Sequence, residues 1–321
     1  MQEALYHPEF GYYSTHIRSV GSGGDFSTSA TLDKRLGSAI AAWIEAKAAE
    51  LKWRRIPVIE IGAGSGALGL SVLRHLPWRT RWKIDYMIHE TSPVLRKQQE
   101  QLLWWRRIRW ITGLAAALKH SKGKALIFSN ELVDAFPCRL FQRGAGGWDE
   151  LGVTISEQGA LSERIIGSLP PDPWFAQFER LPVGQRVERL DSFRDWLQEW
   201  KSHWKEGAFL TIDYGEMAEH LYEGRLQGSL RAYWRHQRFT GRDLYARFGK
   251  QDLTTDINFS DLIAWGKESG WKNTPLMTQR KFVERWLSTK KHSEKLSESS
   301  KRFSTPGDAG DAFKVLEQTP G

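Results

Sequence analysis

The chain has 321 residues, and 40% of them are hydrophobic, which is enough to bury a sizeable core in one large domain or two ordinary ones. The formal net charge of +8 is a moderate excess spread along the chain, so we interpret it as solvated surface. The single cysteine, Cys138, excludes an intramolecular disulfide and a cysteine-based zinc site, and we expect no bound metal.

No apolar run approaches the length of a membrane span, and the first residues do not form a signal peptide. A cytoplasmic location is therefore the default expectation. The chain also contains 16 Trp, and several of them lie beside Arg or Lys, as in residues 104–107. Because an indole ring can pack under a guanidinium or an alkyl stem, we expect most of these tryptophans to be half-buried.

Residues 1–31 combine aromatic rings, glycines and small polar side chains. This composition is typical of loops, but it includes too many large rings for a disordered tail. We interpret the segment as an ordered flap against a binding site; a strap that only covers a hydrophobic surface is the alternative. The apolar spacing from Leu36 to Leu51 then predicts an amphipathic helix.

The segment Val58–Leu68 passes from a short β-branched run into three alternate glycines, which predicts a strand, a tight turn and a helix. Gly62, Gly64 and Gly66 permit positive φ values and leave room for a ligand. Their spacing is G-x-G-x-G, whereas dinucleotide-binding turns use G-x-G-x-x-G. The acidic Glu60 disfavours a pyrophosphate and suits a ligand with a positive amino group, such as S-adenosylmethionine. A turn that only connects strand and helix is the alternative.

A helix is predicted from Ala67 to Leu76, and a second strand is predicted over Asp85–Glu90. In a doubly wound sheet the carboxyl end of the second strand lies beside the first turn, where a carboxylate can accept hydrogen bonds from both ribose hydroxyls. Glu90 is therefore the predicted ribose ligand, with an ordinary surface carboxylate as the alternative.

The next predicted elements are a helix from Ser92 to Gln101 and strands over Ile108–Ile111 and Lys124–Asn130. Strands that alternate with helices indicate an α/β fold with a parallel sheet. Ligands of such a sheet bind at the carboxyl ends of its strands.

Polar residues follow the predicted strand Lys124–Asn130 at this edge. Asn130, Glu131 and Asp134 are the predicted active-site residues, and a helix cap is the alternative role of Asn130. A fifth core strand, predicted over residues 207–215, carries Asp213 near its end and points to the same edge.

Residues 144–185 are rich in Gly and Pro, contain a predicted hairpin, and are interpreted as an insertion or cap. Segments 233–237 and 251–259 are predicted as loops near a substrate site, and helices are predicted over residues 191–204 and 260–269. The predicted division begins with a flap over residues 1–35 and the first part of an α/β core over residues 36–143. An insertion over residues 144–205 and the rest of the core over residues 206–287 follow. Residues 288–321 are predicted as a flexible segment with a C-terminal strand.

Motifs along nearly the whole chain match one family. They are Leu5–Pro8 with Gly11–Tyr13, Gly24–Thr28, Glu60–Gly66, Glu90–Arg96 with Gln98 or Gln99, Asn130–Pro137, Asp213–Gly215, Gln251–Thr254 and Phe313–Leu316. Together they resemble the MidA-like class I methyltransferases, whose mitochondrial members are complex I assembly factors that methylate arginine. Most methyltransferases share the glycine motif Glu60–Gly66. The combination of Asn130–Pro137 with Gln251–Thr254 is quite specific.

The resemblance implies a Rossmann-like class I fold that uses S-adenosylmethionine, with an N-terminal flap and substrate-capping segments. It implies that the cofactor is bound by the glycine turn, by two acidic residues and by the flap: Gly62, Gly64, Gly66, Glu60, Glu90, Gly24, Asp25 and Thr28. It also implies that Asn130, Glu131 and Asp134 lie beside the transferred methyl. Asp213, near the end of the fifth strand, is a further candidate behind them.

The expected activity is methylation of arginine in a protein substrate, by resemblance a subunit of respiratory complex I. Arginine stays protonated at neutral pH and is a poor nucleophile, so paired carboxylates such as Glu131 and Asp134 are predicted to hold its guanidinium. Methylation of a small molecule or nucleic acid, or cofactor binding without catalysis, are the alternatives. Asn130 lacks the aromatic ending of amino-methylating nucleic-acid enzymes, so nucleic acid is not expected. A homodimer is left open.

Overall fold

The computed structural model describes residues 1–17, 35–104, 106–159, 161–168, 170–235, 237–287, 305 and 307–321. Gly24, Asp25 and Thr28, which the sequence assigns to a cofactor flap, lie outside these residues. Residues 288–304, predicted as part of a flexible segment, also lie outside them.

Two compact units alternate along the chain. The large unit comprises Ile17–Leu132, Leu197–Tyr214 and Leu262–Gly321, and the small unit comprises Met1–His16, Val133–Trp196 and Gly215–Asp261. The five-segment division from the sequence stays a prediction.

Strands β1 to β16 are numbered in chain order over the described residues. Their bounds are Ile56–Ile61, Ile84–His89, Ile108–Ile111, Lys124–Asn130, Arg139–Arg143, Trp148–Ile155, Leu161–Ser168, Arg186–Arg189, Glu206–Glu216, Arg231–Trp234, Gln237–Phe239, Asp252–Thr254, Ile257–Asn258, Lys272–Asn273, Met277–Thr278 and Phe313–Thr319.

The α-helices of the described residues are Gln2–Tyr6, Arg35–Glu50, Ala67–His75, Trp78–Lys83, Pro93–Leu103, Leu114–His120, Asp191–Trp200, Ala218–Leu221, Phe259–Glu268, Gln279–Leu287 and Ala309–Ala312. A short π-helix covers Tyr12–His16, and 3₁₀ turns cover Val133–Ala135, Pro173–Phe178, Lys201–His203 and Gly241–Tyr245. Among the described residues, no helix has both the length and the apolar character needed to cross a bilayer.

The large unit is built on a sheet with the strand order β14-β16-β9-β4-β1-β2-β3. The pairs β1–β2, β1–β4, β2–β3 and β4–β9 are parallel, and β16 adds antiparallel to β9. The predicted parallel α/β sheet is therefore confirmed, and β1 lies in its middle with the glycine turn at its carboxyl end. The antiparallel strand β16, which lies between β9 and β14, contains the predicted segment Phe313–Leu316.

The helix Arg35–Glu50 packs on this sheet through the face predicted from the sequence. Leu36, Ile40, Trp43 and Ile44 are fully buried in the core of the large unit. Each such side chain contributes about 1.5–3 kcal/mol through burial. The Trp43 indole N–H also donates to Glu317 Oε2 at 2.9 Å. The one polar atom of this buried ring therefore has a hydrogen-bond partner in the large unit.

The small unit contains an antiparallel sheet of order β7-β6-β5-β8 and a second sheet of order β11-β10-β12. The predicted hairpin is the pair β6–β7. An aromatic cluster packs beside these strands, with Phe141, Phe175 and Phe178 buried in it.

The second sheet corrects the prediction that segments 233–237 and 251–259 are loops. Its strands are only three or four residues long, and they bury polar side chains. Arg231, for example, is 7% exposed and donates to Asp256 Oδ1 at 2.6 Å. Because ion pairs and hydrogen bonds compensate this burial, the sequence lacks the apolar alternation that would indicate a strand.

Candidate functional site

The turn after β1 runs through three left-handed backbone positions. The φ angles of Gly62, Gly64 and Gly66 are +66°, +55° and +81°. A side chain at such a position costs about 1–2 kcal/mol, so the three glycines are required by the backbone itself. The Gly62 N–H donates to the carbonyl of His89 at 2.9 Å, which ties the turn to the end of β2.

A buried amide supports this turn from the neighbouring helix Pro93–Leu103. Gln99 is fully buried, and its Nε2 donates both to the Gly64 carbonyl at 2.8 Å and to Glu90 Oε2 at 3.0 Å. Its Oε1 accepts from the Trp110 indole N–H at 3.0 Å. Gln99 therefore joins the glycine turn to the predicted ribose ligand, and Trp110 fixes the orientation of the amide.

Glu90 is half-buried at the end of β2, and burial raises its pKa. The backbone N–H of Ser92 donates to its Oε1 at 2.9 Å, so both carboxylate oxygens have protein donors that hold the group in one position. A carboxylate fixed in this way can still accept further hydrogen bonds from a diol, since each oxygen has two lone pairs.

Glu60 lies inside the large unit. It is 2% exposed, and its Oε2 accepts from the Tyr86 hydroxyl at 2.7 Å. Burial is the largest cause that raises the pKa of Glu60 to about 8, and the charge of Glu90 raises it further. The predicted ligand role of Glu60 stays a prediction, and its observed contacts are with Tyr86 and with the N–H of Gly69.

These groups fit S-adenosylmethionine. Two carboxylates raise the cost of negative charge at the turn, so a cationic ligand would relieve their repulsion and a pyrophosphate would add to it. S-adenosylmethionine carries an ammonium and a sulfonium group and no phosphate. Glu90 would hold its ribose, and the backbone of Gly62, Gly64 and Gly66 would approach its amino-acid part.

The strands β4 and β9 carry the next predicted residues of the large unit. Asn130 ends β4, and its Nδ2 donates to Glu131 Oε1 at 3.1 Å. Glu131 has a φ of +52°, and its N–H donates to the Ile212 carbonyl at 2.9 Å. A left-handed backbone at a residue with a Cβ is uncommon and often marks a functional position. Asp213 is fully buried in β9.

Asp134, the remaining predicted catalytic residue, belongs to the small unit, where it lies near a second acidic residue. Its Oδ2 accepts from the Thr254 hydroxyl at 2.7 Å. Asp252 is 5% exposed, and its Oδ1 accepts from the Tyr13 hydroxyl at 2.9 Å. Burial, and then the charge of Asp134, raise the pKa of Asp252 to about 7. Tyr6 stacks on Tyr13 with ring centroids 5.6 Å apart.

The structure thus brings Glu60, the three glycines and Glu90 together, and it places Asn130 beside Glu131. Reasoning from the sequence missed the roles of Gln99, Asp252 and Tyr13, although all three lie in motifs that carried the resemblance. Within the described ranges, no group of three or more His, Cys, Asp or Glu side chains could hold a metal ion.

Two solved structures resemble this chain over almost its full length. A COG1565 superfamily protein from Burkholderia thailandensis, bound to S-adenosyl-homocysteine, has a TM-score of 0.85 at 24% identity, and the match covers 99% of this chain and 86% of that chain. A native structure of a COG1565 superfamily protein from the same organism has a TM-score of 0.80 at 23% identity, with coverage of 99% and 85%. These similarities confirm the class I methyltransferase fold.

Curated relatives are similar in sequence as well. Protein arginine methyltransferase NDUFAF7 of Mus musculus is 26% identical over 298 residues, which cover 83% of this chain and 65% of the relative. The Drosophila melanogaster homolog is 25% identical over 317 residues, which cover 81% and 63%. The chain therefore spans slightly less than two thirds of the length of these relatives.

The names of these relatives correct one expectation. They are described as mitochondrial, which contradicts the cytoplasmic location expected from the sequence. That expectation was wrong because it rested only on the lack of a recognisable signal.

Replacing Gln99 by Leu should raise the dissociation constant for S-adenosylmethionine by about 5- to 30-fold, because two hydrogen bonds that hold Glu90 and Gly64 are lost. Trp110→Phe is the matched control. It removes the indole donor to Gln99 Oε1 and leaves the Gln99 hydrogen bonds to Gly64 and Glu90, so the affinity should stay within about 2-fold while the free energy of unfolding falls by about 1 kcal/mol. Calorimetric titration and urea unfolding measure the two effects, and equal affinities of Q99L and W110F would contradict the assigned role.

Glu60→Gln should flatten the pH dependence of stability. The pKa of Glu60 is about 8 in the folded protein and roughly 4.3 when unfolded, so its contribution is complete below about 4.3 and is lost as pH rises through about 8. The wild type should lose up to about 1.4 kcal/mol of unfolding free energy per pH unit across this window. Glu50→Gln, at an exposed carboxylate of the same unit, should leave the slope unchanged. If the unfolding free energy of E60Q and of the wild type changed equally with pH, the pH dependence could not come from Glu60.

A family model described as “Putative S-adenosyl-L-methionine-dependent methyltransferase” (Methyltransf_28) matches residues 36–277. The matched residues include the glycine turn, Glu90, the carboxyl ends of β4 and β9, and Asp252. It confirms the resemblance recognised in the sequence and S-adenosylmethionine as the cofactor. The chain belongs to this family of S-adenosylmethionine-dependent methyltransferases.

Proposed function

We propose that this protein transfers a methyl group from S-adenosylmethionine to the guanidinium of arginine in a protein substrate. The curated relatives that it matches are named protein arginine methyltransferases, and they support the choice of arginine. The observation that carries the proposal is the pair of buried carboxylates in the small unit, Asp134 and Asp252.

The electrostatics of this pair favour a cationic guest. Burial makes the charged form of Asp252 costly, and the negative charge of Asp134 adds to the cost, so the pKa of Asp252 is about 7. A guanidinium would remove the repulsion and offer a planar set of N–H donors to both carboxylates. Thr254 and Tyr13 already donate to one oxygen of each carboxylate, which holds the pair in place for such a guest.

The residues of the chain then supply binding and orientation. When bound, S-adenosylmethionine provides an activated methyl group and a sulfur leaving group. In-line displacement needs little covalent help, so alignment provides most of the acceleration. Asp134 and Asp252 would hold the guanidinium, and an ionised carboxylate can accept the proton that its nitrogen loses. Asn130, Glu131 and Asp213 remain proposed active-site residues on the strands of the large unit.

The proposed protein substrate is a subunit of respiratory complex I, since the MidA-like family includes complex I assembly factors. The direct test supplies labelled cofactor and isolated complex I subunits to the purified chain and locates any methylated arginine by mass spectrometry. A small-molecule methyltransferase, or a factor that only binds the cofactor, would leave every arginine unmodified. Sedimentation of the same preparation tests the homodimer that the sequence leaves open.

Asp252→Asn should lower kcat/KM for the arginine substrate by at least about 100-fold. The substitution removes the negative charge that would pair with the buried guanidinium of the substrate. In the wild type, kcat/KM should rise with pH through about 7, since Asp252 must lose its proton to hold the guanidinium, which itself stays charged. The rise should be absent in D252N, and the affinity for S-adenosylmethionine should be unchanged. Pre-steady-state binding and steady-state pH profiles measure these effects.

Asp261→Asn is the matched control. Asp261 is also a buried aspartate of the small unit, but its Oδ1 accepts from the Trp174 indole at 2.9 Å and from Gln177 at 3.2 Å. The Asp261→Asn substitution should therefore lower the free energy of unfolding while changing kcat/KM less. If D252N kept wild-type turnover and the same pH profile, the carboxylate pair would not be the guanidinium site.

A further inference from the structure

Three exposed tryptophans of the large unit stand out from the rest of its surface. Trp78, Trp82 and Trp104 are 61%, 74% and 80% exposed, and they are exceptions to the expectation that most of the tryptophans are half-buried. The helix Trp78–Lys83 that carries two of them has no buried residue. An exposed indole leaves a large apolar area in water, so a group of them marks an interaction surface.

Arginines lie between and over these rings. We call the set Trp78, Trp82, Trp104, Arg79, Arg81 and Arg107 the Trp–Arg patch. The guanidinium of Arg107 lies 5.8 Å from the centroid of the Trp82 ring, which joins the helix to the segment after Leu103. Neither residues 78–83 nor residues 104–110 contain an acidic residue.

The positive charges of this region are close enough to repel one another. The pKa of the neighbouring Arg106 is lowered, first by burial and then by the charges of Arg81 and Arg74. Among the residues the structure describes, Arg79, Arg81 and Arg107 form no salt bridge. Crowded like charges are complementary to an anionic surface, although one carboxylate, Glu45, accepts from the Thr80 hydroxyl of the helix at 3.4 Å.

The geometry favours a lipid surface over nucleic acid. Single-stranded nucleic acid binds by stacking bases on free aromatic faces. Here the Arg107 guanidinium lies over the Trp82 ring and the Arg79 guanidinium lies 5.3 Å from the Trp78 centroid, so each ring already has a cation on one face. Leu102, two residues before Trp104 in the sequence and 38% exposed, is an aliphatic side chain that suits acyl chains better than bases.

We propose that the Trp–Arg patch is a docking surface for an anionic phospholipid bilayer. The indole rings would enter the interfacial region, where their apolar body and polar N–H are both satisfied. The arginines would contact lipid phosphates, to which guanidinium groups bind with charge-assisted hydrogen bonds. The large unit would thus bind the membrane peripherally, independently of its methyltransferase site.

Vesicle co-sedimentation of the full chain tests this surface. Vesicles of phosphatidylcholine with roughly one third phosphatidylglycerol should bind the protein, and vesicles of pure phosphatidylcholine should bind it at least about 10-fold more weakly. The double variants Trp82→Ala with Trp104→Ala, and Arg81→Gln with Arg107→Gln, should each lower the partition coefficient at least about 10-fold. Unchanged affinity for S-adenosylmethionine verifies that both variants fold.

Matched controls lie on the small unit. Phe248→Ala removes an exposed ring, 51% accessible, and Arg164→Gln removes an exposed guanidinium, and neither should change vesicle binding. Equal binding by the patch variants and the wild type, or no binding to anionic vesicles, would overturn the proposal. Tighter binding of a single-stranded oligonucleotide, lost in the patch variants, would overturn it in favour of nucleic acid. A dimer that is lost in the Trp variant, without vesicle binding, would assign the surface to a second copy.

Discussion

The architecture of the large unit depends on the turn between β1 and the helix Ala67–His75. The chain leaves the middle of a parallel sheet through three left-handed positions, which only glycines occupy without strain. The turn is held by the hydrogen bond from Gly66 to the Ala63 carbonyl, by Gln99, and by the hydrogen bond from Gly62 to the end of β2. The proposed cofactor site would consequently be built from the sheet and the helix that follows β2 together.

Each of the two units contains a buried carboxylate with a raised pKa. Glu60 in the large unit and Asp252 in the small unit both have a pKa raised mainly by burial and further by a second carboxylate. Such groups are costly in the absence of a positive charge and become favourable beside one. The sulfonium cofactor would provide that charge in the large unit, and the proposed guanidinium substrate would provide it in the small unit. The exposed arginines of the Trp–Arg patch present the opposite potential, on the surface of the large unit.

Most of the sheet could be predicted from the sequence because its signals are local. Apolar runs mark β1, β2 and β4, and the glycine spacing marks the turn. Gln99 and Asp252 could not be assigned roles in this way, because their partners are Gly64, Trp110 and Tyr13, which are distant in sequence. The strands of the sheet β11-β10-β12 were not predicted because they bury ion-paired polar groups. Composition alone also could not distinguish exposed from buried tryptophans.

Calorimetric titration with S-adenosylmethionine tests the account at its centre, the glycine turn. The wild type should bind, and Gly64→Val should lose binding, because a β-branched residue cannot easily adopt the φ of +55° at this position. Gly224→Val, at a φ of +69° with open space around it, should bind like the wild type and controls for backbone strain elsewhere. Binding that is absent in the wild type, or equal in the Gly64→Val variant, would contradict the assignment of this turn as the cofactor site.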